Sequence, residues 1–205
     1  MDLKIEQKYF SEGHNLIAAV DEVGRGPLAG PVVSACIIID NNFKIISELE
    51  KVRDSKKLST KQREALFPII KANVKAVAIG MCDNEIIDKY NILQATFLSM
   101  KNAIKKTDLK PDIVLVDGKF EIPKLDIKQR AIISGDNSVF SIAMASIIAK
   151  VSRDYMMDEF HKKYPLYSFD KHKGYGTKLH LQMIDLYGPC PIHRLSFAPF
   201  NVKRT

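Results

Sequence analysis

Apolar residues fall along this chain in two kinds of run. Short, unbroken runs rich in branched side chains read as buried strands. They are "NLIAAV" (Asn15 to Val20), ending at Asp21, "PVVSACIIID" (Pro31 to Asp40), "VKAVAIGMC" (Val74 to Cys82), "DIVLVDG" (Asp112 to Gly118) and "KQRAIIS" (Lys128 to Ser134). A short Gly/Pro connection between the first two predicts an antiparallel hairpin. Helical spacing fills the intervening and later stretches. "STKQREALFPIIKAN" opens with Ser59 and Gln62 at capping-box spacing, and holds Pro68, which should kink or shorten it. "NEIIDKYNILQATFLSMKNAIKK" places Leu93, Phe97, Met100 and Ile104 at helical spacing. "NSVFSIAMASIIAKVSRDYMMDEFHKKY" starts at a capping Asn137 or Ser138 and stops before Pro165. Its small residues Ala143, Ala145, Ser146 and Ala149 permit close approach to a sheet. A last helix, about Lys178 to Tyr187, ends at Gly188-Pro189. Strands come first, then strands alternating with helices. The pattern predicts an α/β fold with a mixed sheet and a helical C-terminal end. A length of 205 residues suits one domain, residues 1–205, with about 160–205 as the helical extension.

Between the first two strands lies "DEVGRGPLAG", which satisfies the loose dinucleotide-binding pattern G-x-G-x-x-A. That fingerprint needs a helix after the glycines, because the helix N-terminus holds the pyrophosphate. Here Pro31 and a β-branched apolar strand follow instead. The acids Asp21 and Glu22 then need another account. A solvated turn would suffice for an isolated pair. Two further strands, however, end in acids: "IVLVDG" in Asp117, and "RAIIS" in the "SGDNS" turn that carries Asp136. Functional groups in α/β sheets gather at such carboxyl ends. Asp136 alone would read as a helix N-cap. Together the four carboxylates form a set of hard oxygen donors suited to Mg²⁺ or Mn²⁺ rather than zinc. Neighbouring strand residues face opposite ways. Asp21 and Glu22 should therefore share an ion only if the chain turns there, a turn that Gly24 and Gly26 make cheap.

The net charge of +7 and a pI near 9.2 change this picture little by themselves, since many basic proteins bind no nucleic acid. Three cysteines, Cys36, Cys82 and Cys190, are far apart and odd in number. They argue against a disulfide framework or thiolate zinc site, and for a reducing cytoplasm. The N-terminal segment lacks an apolar signal core, and no apolar run approaches the roughly 20 residues of a membrane span.

At this point the residues resemble the ribonuclease HII (type 2 ribonuclease H) family. "AVDEVGRGPLAGPVV" is similar to its opening signature. "DSKKLS", "VDG", "GDNSVFSIAMASIIAKVSRD", "HKGYGT" and "HRLSFAPF" match its later blocks in order. The resemblance covers nearly the whole chain. It implies a ribonuclease H-like mixed sheet flanked by helices, with a C-terminal helical part. The implied activity is cleavage of RNA in RNA–DNA hybrids, and nicking of DNA 5′ of a single embedded ribonucleotide, in ribonucleotide and primer removal. Asp21, Glu22, Asp117 and Asp136 become the metal-binding catalytic carboxylates. Two divalent ions would clamp an in-line displacement that leaves 5′-phosphate and 3′-hydroxyl ends.

By the same resemblance Gly24, Arg25 and Gly26 meet the ribonucleotide, with Arg25 adding a bidentate phosphate contact. Tyr175 stacks on the neighbouring sugar, and Lys56 and Lys57 read as phosphate contacts. Asp154 is read as structural, a helix-surface partner for Arg153 or a lysine. The histidines at 14, 161, 172, 180 and 193 look scattered, and none is assigned to catalysis. "VKRT" at the end is a basic tail. A duplex binder of this kind should lose affinity steeply with salt. Other readings are a related nuclease (an integrase, junction resolvase or type 3 ribonuclease H) and a binding module without catalysis. The expected unit is a monomer; no terminal clamp-binding peptide stands out.

Overall fold

The computed structural model describes residues 1–201. The terminal "VKRT" read as a basic tail lies outside them. The strands are β1 (Leu16–Val23), β2 (Val32–Asp40), β3 (Ala76–Cys82), β4 (Ile113–Asp117) and β5 (Gln129–Ile132). They form one mixed sheet in the order β3-β2-β1-β4-β5. β1, β2 and β3 pair antiparallel, whereas β4 and β5 run parallel to β1. The expected hairpin is present, in the register Ile17↔Ile39 through Val23↔Val33.

The central strands are apolar on both faces because both faces are covered. Ile17, Ala19, Ile37 and Leu115 point to one side, where α6 (Phe140–Lys163) and α2 (Thr60–Asn73) pack. Ala18, Val20, Ile38, Val114 and Val116 point to the other, against Met100, Ala103 and Ile104 of α4 (Ile92–Lys105). Ala143, Ala145 and Ala149 of α6 are fully buried, as close approach to the sheet requires. Cutting a buried Ile38 back to alanine would cost about 2–5 kcal/mol. A separate apolar cluster, with Met157, Tyr167, Phe169 and Ile184, holds the C-terminal helices α7 (Phe169–His172) and α8 (Lys178–Tyr187) to the end of α6.

Four local expectations are corrected. The chain begins with a helix, α1 (Lys4–Ser11), before any strand. The segment from Asn84 is two helices, α3 (Asn84–Tyr90) and α4. Asn91 takes φ +69° between them, and its side chain accepts from the N–H groups of Leu93 and Gln94. Pro68 does not shorten α2, whose Ser59–Gln62 capping box is intact. The proline faces solvent, where water can serve the carbonyl that it leaves unpaired. Neither Asn137 nor Ser138 caps the long helix. They belong to a separate turn, α5 (Gly135–Ser138), and α6 starts after Val139 without a local cap. The substitute is remote: buried Glu6 of α1 accepts from the Ser141 N–H at 2.7 Å. An acid at a helix N-terminus also suits the helix dipole.

Candidate active site

Asp21 and Glu22 lie inside β1, paired opposite Ala35 and Ser34 of β2, so the chain does not turn there. The expected turn proves unnecessary. The parallel ladder to β4 stops at Val20↔Val116, leaving that flank of Asp21 and Glu22 open beside Asp117. Asp21 folds its carboxylate back to accept its neighbour's N–H at 2.6 Å. The extra methylene of Glu22 supplies the remaining reach. One carboxylate oxygen from each of Asp21, Glu22 and Asp117 lies within 4.8 Å of the other two.

Asp117 ends β4, and its Oδ1 accepts from the Gly135 N–H at 2.7 Å, which ties the α5 turn to the strand. Asp136, in that turn, is buried and is not a helix cap. Its Oδ1 accepts from the Asn137 amide at 3.0 Å, and its Oδ2 faces Lys56 Nζ at 3.2 Å. It stands beside the trio rather than within it.

The electrostatics explain what such a cluster lacks. Burial, then the charges of Glu22 and Asp117, push the Asp21 carboxyl well above the usual carboxylate range. Burial also raises Glu22, against the pull of Arg25, and raises Asp117, with repulsion from Asp136 adding to it. Mutually repelling buried acids favour a shared cation. Glu22 Oε2 is buried without any hydrogen-bond partner, so it has an unused acceptor for one. The donor set is all oxygen, as hard divalent ions prefer.

Serines absent from the sequence-based assignment support the site. Ser146 of α6 lies beside Asp21, and its hydroxyl meets Ser55 Oγ at 2.8 Å. Ser55 opens the 3-10 turn Ser55–Lys57, which delivers Lys56 to Asp136 and Lys57 to Asn137 Oδ1 at 2.6 Å. Asp154 is buried, not on the surface, and it pairs with Lys150 at 2.8 Å and Arg63 at 3.9 Å. Its sequence neighbour Arg153 is not its partner, because adjacent residues diverge around a helix. The Arg63 Nη1 in turn donates to the carbonyls of Ser55 and Leu58, fixing the lysine turn.

Arg25 pairs with Glu22 at 3.2 Å on a half-exposed side chain. Gly24 has φ +90°, and a Cβ there would strike the Arg153 side chain and sit 2.7 Å from the Pro31 carbonyl. Its glycine is therefore demanded by packing within the protein. Gly26 differs: a Cβ there would meet only the Tyr175 ring, at 3.9 Å, so its outer side is open. Tyr175 is 40% exposed and adjoins this loop. Both loops belong to one platform, with Leu28 N–H donating to the Gly174 carbonyl at 2.8 Å and Arg194 N–H to that of Leu28 at 2.9 Å.

The histidines are not all scattered. His172 and His180 stack with ring centroids 4.4 Å apart, and His180 Nε2 lies 3.0 Å from His193 Nε2. His180 Nδ1 contacts the Tyr175 carbonyl at 3.0 Å, and His172 Nδ1 accepts from the Gly174 N–H at 3.2 Å. These rings buttress the Tyr175 loop from beneath. Their sequence spacing carried no sign of this, because three separate segments meet only in the fold.

The ribonuclease HII family model matches residues 18–200. The chain belongs to the ribonuclease HII family. It is 56% identical to the ribonuclease HII of Caldicellulosiruptor bescii over 95% of this chain and 92% of that protein. It is 52% identical to the ribonuclease HII of Caldicellulosiruptor saccharolyticus over the full length of both. The crystal structure of ribonuclease H2 from Pyrococcus horikoshii superposes with a TM-score of 0.74, at 27% identity, covering 91% of this chain and 95% of that one. The expected architecture, a ribonuclease H-like mixed sheet flanked by helices, is thus observed. As a ribonuclease HII, the protein is a ribonuclease H endonuclease that depends on divalent metal and acts on RNA–DNA hybrids.

Proposed function

We propose that Asp21, Glu22, Asp117 and Asp136 form the catalytic, metal-holding centre of a nuclease that cuts RNA–DNA hybrids and nicks DNA 5′ of embedded ribonucleotides. The observation that carries this is the convergence of three acids from two strand ends, with Glu22 Oε2 buried and unpartnered among them. Mg²⁺ or Mn²⁺, two ions during the reaction, would be held by Asp21, Glu22 and Asp117, with Asp136 on the side toward Lys56. When bound, such ions supply activation of water near neutral pH and stabilisation of the departing oxygen.

The chain's own residues do the rest. Asp117 holds its position through the Gly135 N–H, and Asp21 through the Glu22 N–H. Arg25 and Lys56, each paired with a site acid, can exchange that acid for a phosphate oxygen as substrate and ions arrive. Lys57 adds a backbone contact. Gly26, open on its outer side, and Tyr175 beside it form the surface that meets the ribonucleotide, whose 2′-hydroxyl alone marks it within DNA. Cys36, Cys82 and Cys190 are all buried and free, which suits a reducing cytoplasm. Among the described residues, no helix is long and apolar enough to cross a membrane.

The test uses labelled DNA duplex carrying one ribonucleotide, with all-DNA duplex, RNA–DNA hybrid and EDTA as controls. A metal-dependent nick on the 5′ side of the ribonucleotide, leaving 3′-hydroxyl and 5′-phosphate ends, is expected. Cleavage of the hybrid alone would remove the single-ribonucleotide reading. Tight binding without cleavage in either metal would remove the catalytic one.

A further inference from the structure

The two bulkiest fully buried side chains in the described protein are cations, Arg153 and Arg194. Neither has a carboxylate within salt-bridge distance among the described residues. Burying a charge unpaired is expensive unless hydrogen bonds satisfy it. Both guanidinium groups are instead spent on backbone carbonyls. Arg194 donates from Nη2 to Gly24 O at 2.5 Å and Gly30 O at 2.9 Å, from Nη1 to Arg25 O at 2.9 Å, and from Nε to Gly30 O at 3.0 Å. Arg153 donates from Nε to Pro31 O at 3.0 Å, from Nη2 to Ala29 O at 3.2 Å and from Nη1 to Lys173 O at 2.9 Å. Between them they hold the loop from Gly24 to Pro31, and they tie it to the segment that leads into Tyr175.

The consequence follows from peptide geometry. In a planar trans peptide, the carbonyl of one residue and the N–H of the next point in opposite directions. Holding the Gly24 and Arg25 carbonyls inward turns the N–H groups of Arg25 and Gly26 outward. Among the described residues these two N–H groups donate to no protein acceptor. They emerge beside the open face of Gly26 and the Tyr175 ring. Two buried cations stand behind them, in a low-dielectric setting where charge acts strongly on an approaching oxygen.

We propose that Arg194, assisted by Arg153, is a positioning residue for ribonucleotide reading, presenting the Arg25 and Gly26 N–H groups as a preformed pair of donors to the sugar and phosphate oxygens. This rests on the reading above that the Gly24–Gly26 loop meets the ribonucleotide. Lysine cannot replace arginine here, because a point charge cannot span carbonyls that the planar fork holds together.

The experiment measures KM, kcat, salt dependence and Tm on the single-ribonucleotide duplex for wild type, Arg194→Lys, Arg153→Lys, Arg25→Ala and Ile104→Ala. Ile104 lies in the α4 core and reports the effect of lost stability alone. Arg194→Lys should lower kcat/KM about tenfold, mainly through KM, as expected for the loss of a charge-assisted hydrogen bond. Its salt slope should match wild type, since Arg194 touches no phosphate. Arg25→Ala should flatten that slope by about one. Arg153→Lys, which leaves the grip on Gly24 intact, should give a smaller rise in KM, and it carries the test should Arg194→Lys fail to fold. Wild-type KM in the folded arginine variants would overturn the proposal, as would an equal KM rise in Ile104→Ala at equal loss of Tm. A wild-type enzyme indifferent to the ribonucleotide, or unchanged binding in Arg25→Ala, would instead strike the underlying loop reading.

Discussion

Lys56 Nζ lies 3.2 Å from Asp136 Oδ2, joining a side chain that is 81% exposed to one that is 5% exposed. The lysine lies across the mouth of the acid cluster as an internal countercharge. Desolvation lowers its proton affinity, but the pairing with Asp136 and the charges of Asp54 and Asp21 together raise it. So exposed a partner contributes little to folding, typically below about 1 kcal/mol. Lys56→Ala should therefore leave Tm nearly unchanged while raising KM for a duplex substrate. Steady-state kinetics and a thermal melt decide this. A large Tm loss with unaltered KM would make the lysine structural.

The acid cluster trades stability for chemistry. Asp21→Asn and Asp117→Asn keep acceptor oxygens for their hydrogen bonds but remove like charge from a buried site. Each should abolish cleavage, leave substrate binding largely intact, and give a metal-free protein at least as stable as wild type. Wild-type turnover in either variant would remove the residue from the catalytic set.

Adding Mg²⁺ or Mn²⁺ to the metal-free protein should raise Tm in proportion to occupancy, by about 2.7 kcal/mol of stability at a hundredfold excess over Kd. Asp117→Asn should blunt that rise, because one of the three converging acids loses its charge. An identical metal-induced shift in the variant would place the bound ion elsewhere.

Tyr175 is 40% exposed and contributes little to the core. Tyr175→Ala should therefore reduce nicking at a lone ribonucleotide far more than it lowers Tm. Parallel losses of activity and stability would mark it as a structural ring.

The histidine stack beneath Tyr175 should make folding acid-sensitive. Burial, the largest cause, brings His180 and His193 down from 6.5 to about 4. Between those values the unfolded chain binds more protons than the native one, so stability falls as pH drops from about 6.5 toward 4 and levels off below. Urea midpoints measured across this range check the sign. Asn replacements at both positions should flatten the slope, and an unchanged slope would point to the carboxylates instead.

At the far end of α6, Glu6→Ala should cost roughly 1–3 kcal/mol, because it leaves the Ser141 N–H without its acceptor inside the protein. Burial raises the Glu6 carboxyl, so Glu6→Gln, which keeps an acceptor oxygen, should cost much less. Chemical denaturation of the two variants separates the cap from the charge.

Much of this protein was legible from local sequence because the physics concerned is local. The five strands were branched apolar runs, since a sheet covered on both faces admits little else. The capping box at Ser59 and Gln62 and the stop at Gly188 depend only on near neighbours. The acids near the carboxyl ends of β1 and β4 are visible because a carboxylate that closes an apolar run is conspicuous. The break at Asn91 was not visible, because helical apolar spacing runs on through it. Helix α1 does not stand out in the sequence, because its apolar residues make sense only against a core that the sequence does not display.

The sequence by itself determined the strands, the principal helices and the four acids, through side-chain shape and hydrophobicity acting over a few residues. Only the tertiary structure decided how those acids divide, with Asp21, Glu22 and Asp117 converging while Asp136 turns to Lys56. It alone brought His172, His180 and His193 together, supplied Glu6 as the missing cap, and set Arg153 and Arg194 beneath the glycine loop. Glu6 and the two arginines lie far along the chain from these partners, the histidines sit on three separate segments, and most of the partners are backbone atoms. A carbonyl or an N–H is the same in every residue, so sequence cannot say which of them a distant side chain will find.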